Sequence, residues 1–209
     1  MPARDLFVTG TDTNVGKTVL SALLCAALNR TYWKPIQTGT IEASDRDSVR
    51  NYAGLPEEQT LPETYRFEPP VSPHLAARLA GARIEMDRIV RPTAGGPLII
   101  EGAGGVLVPI NDRDLMLDLI IHLQSPVVLA TRTTLGTINH TLLSIRALRA
   151  AGIPLKGVVM IGEANEENRR AIESYGDTSV VGWIPPMSEI KREVLLDMYN
   201  RHFRRDVFE

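Results

Sequence analysis

The sequence predicts an α/β fold: a single domain, residues 1–209, in which helices cover both faces of a mostly parallel sheet. Short apolar runs alternate with helical segments along the whole chain, a pattern typical of parallel sheets. A glycine-containing turn joins the first apolar run directly to a helix. The 209 residues are enough for one domain with a sizeable core, and no repeat, linker or low-complexity segment divides them.

A candidate phosphate-binding loop lies near the N-terminus. It follows the apolar residues 6–8 and ends in Gly16-Lys17-Thr18, directly before the apolar residues 19–24. In this strand–turn–helix context, backbone N–H groups and the positive end of the helix dipole favour an anion. Lys17 would reach the terminal phosphates, and the Thr18 hydroxyl would bind Mg²⁺.

The spacing within this loop differs from the usual P-loop pattern. Gly10 and Gly16 enclose five residues instead of four, and Thr11 occupies the expected glycine position. The competing interpretation is a chance Gly-Lys-Thr at a capped helix start. Because the segment directly follows a strand near the N-terminus, we predict a nucleoside triphosphate site and therefore a P-loop NTPase-like fold.

Helix and strand signals continue in order along the chain. In the first half we predict a helix over residues 17–28, an extended piece over 32–34, a polar loop over 36–48, a helical turn over 48–52, a proline-rich connection up to 73, and a helix that begins at Ser72-Pro73. In the second half we predict strands over 97–101, 126–130, 155–161 and 179–184, and helices over 115–123, 137–151, 165–175 and 188–202.

Composition and charge exclude several classes of protein. Lys and Arg total 23 against 25 Asp and Glu, so the net charge of −2 offers no basic surface for nucleic acid or anionic membrane. Cys25 is the single cysteine, which excludes a disulfide within the chain. No apolar run is long enough to span a bilayer, and residues 1–5 lack a signal-peptide core. We therefore predict a cytoplasmic protein.

Two charged residues at predicted strand ends are candidate site residues. Glu101 ends an apolar strand and is followed by Gly102-Ala103-Gly104-Gly105. Ligands of parallel sheets collect at the carboxyl ends of strands, where Glu101 would be a partner for Mg²⁺; the alternative is a surface acid. Lys34 ends a neighbouring strand and would offset charge shared between a phosphate and a second substrate, unless it is a solvated lysine.

Several blocks of the sequence resemble the dethiobiotin synthetase family of the biotin pathway. They are, in the family's order, Gly10-Thr11-Asp12-Thr13-Asn14-Val15-Gly16-Lys17-Thr18, Trp33-Lys34-Pro35, Thr38-Gly39, Ser72-Pro73-His74, Glu101-Gly102-Ala103-Gly104-Gly105 and Leu135-Gly136-Thr137-Ile138-Asn139-His140. The resemblance runs from residue 6 to about residue 186. It implies an ATP- and Mg²⁺-dependent cyclo-ligase that converts 7,8-diaminononanoate and CO₂ to dethiobiotin through a carbamate and a carbamic–phosphoric anhydride.

The resemblance also implies roles for individual residues. Lys17, Lys34 and Thr38 would be catalytic, and Thr18, Glu101 and Asp47 would surround the metal, with Asp45 as the alternative to Asp47. The substrate would be bound by Thr11, Lys34, Thr38 and, in the partner subunit of a homodimer, by Gly136, Thr137, Ile138 and Asn139. The last four lie at a predicted helix start, which suits a carboxylate, although a plain helix cap is an equal alternative. The nucleotide would be bound by Thr13, Asn14, Val15, Gly16, Lys17, Thr18, Val19, Asp47, Glu101, Gly102, Ala103, Gly104, Ile161, Gly162, Ile184, Pro185 and Pro186.

One departure from the family pattern bears on the nucleobase. Family members often carry an asparagine after the strand over 155–160 that reads adenine, whereas this chain has Ile161-Gly162-Glu163. We still predict ATP, with the base held by backbone groups around residues 184–186. His74 and His140 stand at predicted helix starts, where a structural hydrogen bond is commoner than catalysis.

A nucleotide-driven switch of the partition or septum-placing type is the competing hypothesis. Those ATPases carry an extra lysine early in the loop, where this chain has Asp12. They commonly end in a basic or amphipathic surface helix, whereas residues 191–209 carry mixed charge. Both differences favour the synthetase.

Overall fold

The structure is a computed structural model that describes residues 5–41 and 44–208. Residues 1–4 of the segment predicted to lack a signal peptide, residues 42 and 43 of the predicted loop, and residue 209 lie outside the described residues. Within the described ranges, no helix has the length and apolar character needed to cross a membrane.

Strands and helices alternate through the described chain. The strands are β1 (Leu6–Gly10), β2 (Thr31–Trp33), β3 (Ile36–Thr38), β4 (Thr60–Leu61), β5 (Tyr65–Phe67), β6 (Leu98–Gly105), β7 (Val127–Arg132), β8 (Leu155–Ile161) and β9 (Val180–Ile184). The α-helices are α1 (Lys17–Leu28), α2 (Asp45–Ala53), α3 (Pro73–Leu79), α4 (Met116–Leu123), α5 (Thr137–Ala150), α6 (Glu166–Gly176) and α7 (Arg192–His202). Short 3₁₀ turns cover Glu57–Gln59, Met86–Arg88 and Arg205–Val207.

Seven strands form one sheet in the order β4-β2-β6-β1-β7-β8-β9, and its paired strands are parallel. β3 and β5 form a separate parallel pair. β1 lies in the middle of the large sheet, with Val8 opposite Glu101 of β6. β1, β2 and β6 run parallel and side by side, which brings the P-loop, Lys34 and Glu101 together. The prediction that Glu101 ends its strand is wrong, because β6 continues through the following glycines to Gly105.

Apolar side chains fill both faces of this sheet, because successive residues of a strand point to opposite sides. Phe7 belongs to the core beneath helices α3–α6, and Val8 to the core beneath α1, α2 and α7. Leu23 of α1 and Leu195 of α7 are fully buried in the second core; burial of one such side chain contributes about 1.5–3 kcal/mol. The structure confirms the predicted α/β class with helices on both faces.

Two predicted elements differ from the structure between β2 and α3. The predicted loop over 36–48 contains β3 and the first turn of α2, and α2 runs over Asp45–Ala53 instead of the predicted turn over 48–52. Ser44 caps this helix by accepting a hydrogen bond from the Asp47 N–H. The proline-rich connection supplies β4 and β5, whose strand partners are remote in sequence. These elements were not predicted because polar residues and prolines dominate the local sequence.

Candidate active site

The P-loop turns sharply between β1 and α1. Gly16 has φ +97°, and a Cβ atom added there would lie 2.8 Å from Ile161 Cδ1, so only glycine fits this position. The first turn of α1 contains no acidic residue, which leaves the positive end of its dipole free for an anion. Lys17 Nζ donates a hydrogen bond to the Asp12 carbonyl over 3.0 Å and so folds back across the loop.

Charged side chains from three elements converge beside this loop. Lys34 follows β2, Glu101 lies in β6, and Asp45 is the first residue of α2. Lys34 Nζ donates to Glu101 Oε1 over 3.2 Å and forms an ion pair with Asp45 Oδ2. The Tyr32 hydroxyl donates to Glu101 Oε2 over 3.1 Å. Glu101 is 1% exposed and Lys34 5% exposed, so each charge is stable there only because it is paired.

The two lysines of the site differ in their pKa. Burial lowers the pKa of Lys34, but the carboxylates of Glu101 and Asp45 outweigh burial and raise it overall. The pKa of Lys17 is lowered to about 8, because burial and the Lys34 ammonium lower it and the carboxylates of Glu101, Asp45 and Asp12 offset this only in part. Burial also raises the pKa of Asp45, but the Lys34 ammonium and hydrogen bonds bring it below its usual value. Lys34 is thus paired with two carboxylates, whereas Lys17 forms no ion pair with any residue of 5–41 and 44–208.

Oxygen atoms of Thr18, Asp45 and Glu101 lie close together beside the P-loop. Thr18 Oγ1 lies 3.0 Å from Asp45 Oδ1 and 3.1 Å from Glu101 Oε1. One hydroxyl proton cannot serve both carboxylates at once. Adjacent oxygen ligands of octahedral Mg²⁺ are also about 2.9–3.0 Å apart, so the spacing fits this ion. Residues 5–41 and 44–208 contain no group of three or more His, Cys, Asp or Glu suited to a metal, and phosphate or water would complete the shell.

The structure does not bring Asp47 to this cluster, so the predicted choice of Asp47 as the acid beside Thr18 is wrong. Asp47 accepts a hydrogen bond from Ser44 Oγ over 2.8 Å and pairs with Arg50 over 3.2 Å. Because α2 begins at Asp45, residues 45 and 47 lie about 200° apart around the helix axis. Asp45, the alternative, therefore faces the cleft.

A cleft of about 620 Å³ surrounds the cluster. Of the predicted site residues it is lined by Thr13, Asn14, Gly16, Lys17, Thr18, Val19, Lys34, Thr38, Glu101, Ala103 and Gly104. Gly102 does not line it, since the Gly102 Cα faces Phe7 and Met116 in the core. Gln37 also lines the cleft and was missed: its Oε1 accepts a hydrogen bond from the Asp45 N–H over 3.3 Å. Its place between Lys34 and Thr38 was the available signal.

A second cavity of about 610 Å³ lies on the opposite side of the P-loop, against β8 and β9. The remaining predicted nucleotide residues lie here: Val15, Ile161, Gly162, Ile184, Pro185 and Pro186. Met187 and Ile190 add to its apolar wall. Asn14, Gly16 and Val19 border both cavities, so the P-loop separates them.

The predicted carboxylate-binding residues lie outside the cleft of their own chain. Gly136, Ile138 and Asn139 line a separate cavity of about 600 Å³, and Thr137 is buried. Thr137 Oγ1 is 2.8 Å from Thr131 Oγ1, to which the Thr11 hydroxyl donates over 3.3 Å. These hydroxyls connect the start of α5 to the P-loop.

The fold and the site define a P-loop nucleotide-binding protein. The profile of a family described as an AAA domain matches residues 4–194. A ParA family ATPase from Chlorobium tepidum TLS superposes with a TM-score of 0.57 and 11% identity, over 93% of this chain and 97% of that one. A chain of the MinC:MinD cell division complex of Aquifex aeolicus superposes with a TM-score of 0.54 and 13% identity, over 95% of each chain. At these identities the likeness shows the fold alone.

Curated relatives identify the family. The ATP-dependent dethiobiotin synthetase BioD of Rhodopseudomonas palustris (strain HaA2) is 46% identical over 205 residues, which are 98% of this chain and 96% of that protein. The protein of the same name from Agrobacterium fabrum (strain C58) is 47% identical over 196 residues, 94% of this chain and 92% of that protein. The chain belongs to the ATP-dependent dethiobiotin synthetase family and is an ATP-dependent ligase of biotin biosynthesis.

Proposed function

We propose that the chain catalyses the carboxylation and ring closure of 7,8-diaminononanoate with CO₂, at the expense of ATP and with Mg²⁺, to give dethiobiotin, ADP and phosphate. One observation carries this proposal: Lys17 and Lys34 lie in the same cleft as the oxygen cluster of Thr18, Asp45 and Glu101. A carbamate and a triphosphate are both anions, and their approach requires fixed positive charge.

The reaction is proposed in three steps. One substrate amine adds to CO₂ and forms a carbamate. A carbamate oxygen attacks the γ-phosphorus, and the bond from the γ-phosphorus to the bridging oxygen of ADP breaks. The second amine attacks the carbamate carbon, the ureido ring closes and phosphate leaves. The protons of the two amines pass to solvent.

The side chains of the cleft have distinct roles in this proposal. Lys17, whose charge lacks a full counter-charge, binds the γ-phosphate. Lys34 gives up part of its ion pairing with Glu101 and Asp45 and pairs with the carbamate instead. The Thr38 hydroxyl donates or accepts a hydrogen bond near the reacting nitrogens. Each ammonium favours the transition state because phosphoryl transfer spreads negative charge over several oxygens.

Mg²⁺ would be held by Thr18, Asp45 and Glu101, whose oxygen spacing fits the ion. When bound it would offset charge on the phosphates. Lys34 is paired with the carboxylates of Asp45 and Glu101, so its ammonium balances the negative charge of these two metal-ligand candidates.

We further propose a homodimer in which one subunit binds the substrate carboxylate of the other. The start of α5 has no acidic residue in its first turn, which suits an anion. Leu135, next to this start, is fully exposed.

A cytoplasmic location stays a prediction of the sequence.

Isotope transfer tests the proposed reaction. Purified protein is incubated with diaminononanoate, ATP, Mg²⁺ and freshly dissolved ¹⁸O-labelled bicarbonate, and the products are analysed by mass spectrometry. We expect dethiobiotin, and one ¹⁸O atom from CO₂ in each phosphate, because the attacking carbamate oxygen leaves with the phosphorus. Reactions without diaminononanoate are the control. Dethiobiotin accompanied by unlabelled phosphate would contradict the anhydride route.

A further inference from the structure

Several backbone groups in the wall of the cavity against β8 and β9 already form hydrogen bonds within the protein. The Gly162 N–H donates to the Ile184 carbonyl over 3.0 Å, and the Gly162 carbonyl accepts from Trp183 Nε1 over 2.8 Å. The Thr133 carbonyl accepts from Asn168 Nδ2 over 2.9 Å. The Gly162 N–H, the Gly162 carbonyl and the Thr133 carbonyl therefore each have a partner within the protein.

The first side chain that β8 presents to the cavity is apolar. Ile161 Cδ1 and Cγ2 pack against the Gly16 backbone, so this side chain cannot form a hydrogen bond to a base. Gly162 has no side chain and adopts φ +132°. The next residue, Glu163, is the first polar side chain after the strand, and it lines the cavity.

Glu163 is exposed and lines this cavity, and within residues 5–41 and 44–208 its side chain has no hydrogen bond or ion pair. Arg132, the other charged residue of this wall, donates to the Thr13 carbonyl over 2.7 Å and lies 3.9 Å from Asp12. Pro185 and Pro186 line the same cavity and have carbonyl groups but no N–H. An ionised carboxylate also only accepts hydrogen bonds. Glu163 and these two prolines therefore favour a ligand edge that donates.

We propose that Glu163 is a specificity-determining residue that accepts a hydrogen bond from the exocyclic amino group of the nucleobase. The inference rests on the proposed function, in which the triphosphate occupies the P-loop and its base enters the cavity. Adenine and cytosine carry such an amino group, whereas hypoxanthine and uracil carry a carbonyl oxygen in the same place. That oxygen would face the carboxylate lone pairs, and the carboxylate would lose its partner.

The test compares pairs of triphosphates that differ at this one group. Dissociation constants of ATP, ITP, CTP and UTP are measured by calorimetry with Mg²⁺ for the unaltered protein, Glu163→Gln and Glu163→Asp. Glu166→Gln is the matched control. It removes the same charge three residues further along the chain, from a side chain that pairs with Arg169 and Arg170. Ratios of dissociation constants cancel the general effect of charge on triphosphate binding.

We expect the unaltered protein to prefer ATP over ITP, and CTP over UTP, by about tenfold. An amide can also donate to a carbonyl oxygen, so Glu163→Gln should reduce both ratios to below about twofold. Glu163→Asp should retain part of the preference, and Glu166→Gln should leave it unchanged. If Glu163→Gln and the unaltered protein show equal ratios and both still form dethiobiotin, the inference about Glu163 is overturned but the proposed function is not. Failure of every triphosphate to bind would overturn the nucleotide site and this inference together.

Discussion

The two cavities beside the P-loop have nearly the same volume, about 620 and 610 Å³, but opposite chemistry. The cleft beside β2 and β6 contains paired charges, with Lys34 held between Asp45 and Glu101. The cavity beside β8 and β9 is walled mainly by apolar side chains and two prolines. The P-loop therefore separates the groups proposed to act on phosphate from the groups proposed to select a base.

The difference predicts how each side responds to substitution. In the charged cleft, removal of one partner leaves another charge buried and unpaired, which is strongly unfavourable. In the apolar cavity, a changed wall alters contact area and fit, which affects binding of the base. We expect substitutions in the cleft to change turnover, and substitutions in the cavity to change nucleotide affinity.

The largest effect is expected for Lys17→Met. The side chain is replaced by an apolar one of similar length, so the γ-phosphate loses its ammonium partner. Dethiobiotin formation should fall by on the order of 10³-fold, by analogy with the loss of one preorganised donor, while circular dichroism shows an unchanged fold. Near-normal turnover in a folded variant would remove Lys17 from the phosphate site.

The same variant should be more stable than the unaltered protein at neutral pH. In the nucleotide-free protein the pKa of Lys17 is about 8, against 10.5 in the unfolded chain. Below pH 8 Lys17 is charged in both states, and burying that charge destabilises the fold by about 3 kcal/mol. Between pH 8 and 10.5 the folded protein loses the proton first, so its stability relative to Lys17→Met rises and the penalty disappears.

Urea unfolding at pH 7 and pH 10, at matched ionic strength, checks this sign. The free energy of unfolding of Lys17→Met should exceed that of the unaltered protein by about 3 kcal/mol at pH 7 and by much less at pH 10. A difference that is independent of pH would show that packing, and not the charge of Lys17, determines the stability change.

Asp45→Asn and Asp47→Asn form a matched pair that tests the placement of the metal. Asp45 contacts Thr18, whereas Asp47 contacts Ser44 and Arg50. Asp45→Asn should lower the apparent Mg²⁺ affinity in the presence of ADP by about 10–100-fold, and Asp47→Asn should change it less than twofold. Calorimetric Mg²⁺ titrations measure both. Equal losses in the two variants would contradict the assignment of Asp45.

Gly162→Ala tests the apolar cavity beside β8 and β9, and its expected effect on catalysis is the smallest. Gly162 has φ +132°, and a Cβ atom there would collide with Thr133 Oγ1, so the cavity wall must shift. The KM for ATP should rise by about tenfold, while kcat stays within twofold. Gly95→Ala is the control, because nothing lies within 4 Å of the added Cβ. A fall in kcat with unchanged KM would contradict the division between the two cavities.

Some features of this protein could be predicted from the sequence because they are local. The P-loop needs a strand, a turn and a helix that follow one another, so residues 6–28 contain the whole signal. The bounds predicted for the first helix match α1, Lys17–Leu28. Buried strands contain continuous apolar runs, such as residues 127–130 of β7 and 158–161 of β8, since both faces of a parallel sheet are covered. The family resemblance, confirmed by the relatives, rests on short blocks of the same kind.

Other features were decided only by tertiary structure, because they depend on partners remote in sequence or on helical phase. Residues 36–38, which lie in a segment predicted to be a polar loop, form a strand because β5 pairs with them. Asp45, not Asp47, reaches Thr18 because α2 begins at the Ser44 cap, and two residues of helix turn the second side chain away. The predicted nucleotide residues divide between two cavities because Ile161 packs on Gly16, a contact across 145 residues. Sequence alone determined which groups the protein carries, and folding determined which of them meet.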